Sequence, residues 1–104
     1  MSKSSIKIVW LPEAKEDLKY IRSRVFRKTK SKVNTDNVIN DIIIASKSIH
    51  FVDQYQYDEF LKEPYRRIVV KHFKIIYKAV NNSEIRIFEV FDTYQNPSRL
   101  RKDN

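Results

Sequence analysis

The chain has 104 residues, a length that makes one domain, 1–104, with a single modest core. Its 21 Lys and Arg against 13 Asp and Glu give a formal net charge of +8, with no Cys and no Gly. Without thiols there is no disulfide framework and no cysteine nucleophile, and with only His50 and His72 the usual zinc clusters are excluded; the positive balance favours acidic partners. The expectation is a cofactor-free, metal-free cytoplasmic protein. Met1 to Val9 lacks the apolar stretch of a signal peptide, and the longest apolar run, Ile42 to Ala45, is far too short for a membrane span.

Ile6 to Trp10 alternates, with Ile6, Ile8 and Trp10 on one face, and predicts a first strand. Pro12 suits the first turn of a helix whose positive end is complemented by Glu13, Glu16 and Asp17. Ala14, Leu18, Ile21 and Val25 make an apolar stripe on that helix to about Arg27. A basic link to Lys32 follows, then a second helix with Asn34 or Thr35 as cap. Its stripe is Val38, Ile42, Ala45 and Ile49, with Ile39, Ile43 and Ile44 widening the buried face. The two stripes predict an antiparallel helical hairpin laid on a sheet.

Phe51 to Glu63 reads as a polar loop pinned by Tyr55, Tyr57 and Phe60, with acidic residues unsuited to nucleic acid. Three strands follow at about 66–71, 73–80 and 85–91, turning at His72 and at Asn81-Asn82, where Asn is expected to take the left-handed backbone that a glycine-free chain needs. The fold class is therefore α+β, β-α-α-β-β-β, with the hairpin on a small antiparallel sheet.

Alternation places Phe73, Ile75, Tyr77 and Ala79 under the helices and Lys74, Ile76, Lys78 and Val80 on an outward face, where Arg66 or Arg67 adds a further cation. Arg86 is another candidate, although both faces of the last strand are partly apolar and its register stays open. Glu89 faces either way and suits a salt bridge with Arg67 or Lys78. His72 has the chemistry of a general base but the position of a turn residue. Tyr94, Gln95, Asn96, Arg99, Arg101 and Lys102 combine a stacking ring with cations, as single-stranded nucleic acid requires, or form a solvated tail.

Trp10 with Pro12-Glu-Ala14 and Asp17-Leu18, the segment Arg66 to Tyr77, and Phe91-Asp-Thr-Tyr-Gln-Asn-Pro97 together resemble the RelE/ParE superfamily of bacterial toxins over nearly the whole chain. The resemblance implies a type II toxin with a cognate antitoxin that wraps hairpin and sheet. RelE-like members cut ribosome-bound mRNA, and ParE-like members inhibit DNA gyrase without accepted catalytic residues. On the RelE-like reading the catalytic set is Lys74, Tyr94 and Arg67, with Arg66, Lys78, Arg86 and Arg99 binding nucleic acid. Lys74 stands where those enzymes carry an Arg and lacks its bidentate grip, and Thr93-Tyr94 replaces an expected Arg.

Overall fold

The computed structural model of the chain describes residues 5–94. Its elements are β1 (Lys7–Trp10), α1 (Pro12–Thr29), α2 (Lys32–Ser46), β2 (Arg66–Val70), β3 (Phe73–Asn81) and β4 (Glu84–Asp92). The strands form one sheet in the order β1-β4-β3-β2. β2, β3 and β4 make the expected antiparallel meander. β1 enters beside β4 and runs parallel to it, pairing Ile8 with Ile85 and Trp10 with Ile87, so the four-stranded sheet is mixed.

Local chemistry sets the helix ends. Pro12 opens α1 with its preset φ, and Leu11, the N-cap residue, offers no side-chain cap. α1 runs to Thr29 and closes at Lys30, whose backbone is left-handed at φ 56° and whose N–H bonds to the carbonyl of Phe26. Ser31, not Asn34 or Thr35, caps α2 by accepting the Asn34 N–H at 3.1 Å. Thr35 is buried inside the helix, and its hydroxyl donates to the Ser31 carbonyl at 2.7 Å.

The buried stripe of α2 is Thr35, Ile39, Ile42 and Ser46, continued by Ile49 beyond the helix end. Val38 and Ala45 flank it half-buried, and Ile44, expected on the buried side, is 65% exposed. Two polar residues sit on this stripe because their hydroxyls return to the helix backbone, Ser46 to the Ile43 carbonyl at 2.6 Å. The main core lies between this face, Ala14 and Ile21 of α1, and Ile68, Phe73, Ile75, Tyr77, Ile85, Ile87 and Val90 of the sheet.

Turns also depart from expectation. The positive-φ positions among the described residues are Lys30, Lys62 and Lys71. Asn81 keeps strand conformation and instead braces the β3–β4 turn, its Oδ1 accepting the Ser83 N–H at 2.8 Å. In β4 the ladder slips between Ile76/Glu89 and Tyr77/Ile87. This bulge shifts the alternation by one residue, so Ile85, Ile87 and Val90 join the helix-side core while Phe88 packs on the other face. Beyond β1, the exposed edge of β4 is held by α1: Asp17 accepts the Val90 N–H at 3.0 Å.

No helix among the described residues is long and apolar enough to cross a membrane.

Candidate functional site

Alternation along β3 behaves as expected up to a point. Phe73, Ile75 and Tyr77 lie under the helices, and Lys74, Ile76 and Lys78 take the opposite face. That face is not open. The segment between α2 and β2 doubles back over it, and Leu61 and Tyr65 form a second small core with Ile76 and Phe88, capped by Leu11. The segment also runs along the edge of β2: Arg67 N–H donates to the Gln56 carbonyl and Asp58 N–H to that of Tyr65.

The covering segment carries acids that meet the sheet's cations. Lys74 is only 5% exposed, and its Nζ lies 2.8 Å from Asp58 Oδ1 and 3.3 Å from Glu59 Oε1, with the Phe60 ring centroid at 4.7 Å. Asp58, also buried, accepts the backbone N–H groups of Phe60 and Leu61 at 2.9 and 2.8 Å through its other oxygen. Burial pushes the Asp58 carboxyl up, but the bond from Lys74 and the two N–H groups outweigh it and hold the group below its ordinary value. Glu59 is lowered as well, first by its own backbone N–H and then, against burial, by Lys74. Its Oε1 also lies 3.3 Å from Arg67 Nε, and Arg67 Nη1 donates to the Tyr57 carbonyl at 2.7 Å. Lys74 and Arg67 are therefore brought together, but around a carboxylate the chain itself supplies.

The other expected site residues lie elsewhere. Arg66 pairs in register with Tyr77, so it points to the helix side at the sheet edge. There it donates to the Tyr55 carbonyl at 2.7 Å and stacks on the Tyr57 ring at 4.0 Å. Lys78 and Arg86 face each other across β3 and β4 on the outer side, with Arg86 Nε 3.6 Å from Glu84 and Lys78 Nζ 5.8 Å from the Tyr65 ring. Glu89 is buried on that side, opposite Ile76. Arg99 lies outside the described residues, as do Gln95, Asn96, Arg101 and Lys102.

Tyr94 stands on the opposite side of the sheet from Lys74, beside α1. Its backbone N–H bonds to Asp92 Oδ1 at 2.9 Å, and its ring rests on that of His72 at 4.2 Å. Thr93 secures this stack by giving both its N–H and its hydroxyl to the His72 carbonyl, at 2.7 and 2.8 Å. The two rings, with Ile21, Arg24, Val25, Lys28, Phe73 and Asp92, line a half-open cavity of about 80 Å³. His72 Nε2 is shut off from solvent and has no hydrogen-bond partner among the described residues. Sequence reading placed His72 in a turn and Tyr94 near a tail, but nothing in their spacing couples them to Arg24 and Lys28, more than forty positions upstream of either.

No family model and no curated protein matches the chain. Among solved structures it is similar to a chain of the chromosomal ParDE TA system from P. aeruginosa, with a TM-score of 0.68 and 18% identity. The match covers 85% of this chain and 96% of that one. The likeness is one of fold, and it supports the ParE-like α+β architecture that the motifs led us to expect.

Proposed function

We propose that the chain is the toxin of a type II toxin-antitoxin pair, and that it acts in the ParE-like manner, by binding and inhibiting DNA gyrase, rather than as a ribosome-dependent ribonuclease. The fold likeness to a ParDE chain supports the first part, together with the motifs at Trp10–Leu18, Arg66–Tyr77 and Phe91–Pro97. A cognate antitoxin in the same cytoplasm would be its neutraliser.

The burial of Lys74 against Asp58 carries the second part. Cutting RNA through its own 2′-hydroxyl needs cations free to meet the developing charge on phosphorus and a group to take the proton. A phosphate reaching Lys74 would have to displace Asp58, leaving a buried carboxylate with only its two backbone N–H bonds, at a cost of about 2–3 kcal/mol. Asp58 is held ionised at neutral pH, so it does not relinquish the ammonium by protonation. Arg67 is likewise engaged by Glu59, and Tyr94 approaches from the far side of the sheet. A ribonuclease built on Lys74, Arg67 and Tyr94 would need these three drawn to one face.

The test is biochemical. Purified chain is added to a gyrase supercoiling reaction and, separately, to ribosomes translating a defined message. Blocked supercoiling with an intact message is the expected pair of results, and codon-positioned cleavage of the message would overturn the proposal.

A further inference from the structure

The cavity between the last turns of α1 and the β2–β3 turn plays no part in the reading above, yet its chemistry is specific. Its floor is apolar, made by Ile21, Val25 and Phe73, and its wall is the stacked pair His72 and Tyr94. Cations stand on the rim. Arg24 Nη1 is 3.5 Å from Asp92, a loose pairing with 40% of the Arg24 side chain exposed. Lys28 has no ion-pair partner among the described residues, and Arg27 and Lys30 continue the same basic helix end. Tyr94 is 78% exposed, and His72 Nε2 is buried without a partner among the described residues.

We infer that this cavity is the docking point for an acidic, apolar segment of a protein partner: one aliphatic side chain fills the cavity and the neighbouring carboxylate pairs with Arg24 and Lys28. The lining selects the first half. Ile21, Val25 and Phe73 give an aliphatic side chain an apolar seat and a bare phosphate nothing to gain. Charge selects the second half. A second copy of a chain carrying +8 is repelled from this end of the helix, whereas a carboxylate-bearing segment is drawn to it. Covering Tyr94 would bury the most exposed large aromatic residue among the described ones, the kind of anchor that dominates interfaces.

The inference deepens the toxin reading, in which the partner is the neutralising protein, but its test stands apart. Isotope-labelled full chain is titrated with a blocked eight-residue peptide alternating Glu and Leu. Control titrations use peptides alternating Gln and Leu or Glu and Ser, and the oligonucleotide dT8. The Glu–Leu peptide is expected to shift the methyl resonances of Ile21 and Val25 and the ring of Tyr94. Arg24→Gln with Lys28→Gln should weaken that binding about tenfold or more, and Lys28→Gln alone, at an exposed position on the cavity rim, by a smaller factor in the same direction. No shift at millimolar peptide, shifts confined to other surfaces, or equal effects from the neutral peptide or dT8 would overturn the inference. Growth arrest on expression decides the toxin reading separately. Arrest with an untouched cavity removes this site alone, and harmless expression with a filled cavity removes the toxin reading alone.

Discussion

Replacing Lys74 by Met keeps the volume and packing against Phe60 and strips the ammonium from Asp58, so it measures how far the covering segment depends on that contact. Removing one partner of a buried ion pair costs about 3–5 kcal/mol, because the remaining charge is left desolvated. Here the loss is smaller, since Asp58 keeps two backbone N–H bonds and Glu59 is half in water. We expect about 2–3 kcal/mol, out of a total near 5–10 kcal/mol for a domain of this size, so the variant still folds. Neutralising the other side in Lys74→Met/Asp58→Asn keeps an acceptor for Phe60 and Leu61 and removes the stranded charge. The double variant should recover most of the loss, giving a coupling energy of about 2 kcal/mol. Urea unfolding of the four proteins, followed by circular dichroism, reads this as a drop of about 1–2 M in midpoint for Lys74→Met alone. A cost under about 0.5 kcal/mol, or single effects that simply add, would refute the claim that Lys74 is held by Asp58.

Three further outcomes follow from the same structure. Lys30 sits at φ 56° at the end of α1, where a β-carbon is disfavoured, so Lys30→Gly should raise stability by about 1 kcal/mol, and Ser31→Ala, which removes the α2 cap, should lower it by about as much. Asp58 is depressed in the folded state, so its contribution is present above about pH 4 and lost as pH falls through the lower folded value; Asp58→Asn should flatten this acid limb of the stability curve. Burial pushes Tyr77 up to about 12, so its contribution is intact below pH 10 and lost as pH rises through 12. An alkaline unfolding scan should show a late loss of up to about 2–3 kcal/mol that Tyr77→Phe abolishes.

Much of the frame was legible in the chain. Pro12, the Ala14–Val25 stripe and the alternation from Phe73 to Tyr77 predicted a helical hairpin on a meander because each is a local signal of one element's period. What failed was long-range. The bulge opposite Tyr77 puts Phe88 and Glu89 out of step with Ile85 and Ile87, so alternation alone could not assign the faces of β4. The left-handed backbone went to three lysines, whose long side chains leave toward water, rather than to Asn81 or Asn82. Most consequential was the segment from Phe51 to Glu63, with Tyr65 just beyond it. It reads as a polar loop, yet Asp58 and Glu59 are placed to meet Lys74 and Arg67, and Leu61 and Tyr65 to cover Ile76 and Phe88. An acidic pair flanked by aromatics just ahead of a basic strand was the available signal, and only the chain's return across the sheet gives it meaning. The pocket of His72 and Tyr94 is still less visible, because its cations come from a helix that has no sequence relation to the turn.

Growth after induced expression of Lys74→Met/Asp58→Asn, with its fold verified beforehand, tests the central claim most directly. If Lys74 serves the architecture and toxicity comes from surface binding, the double variant arrests growth as the parent does. Loss of arrest in a folded variant that still binds its neutraliser would mean that the Lys74 ammonium acts on a substrate after all.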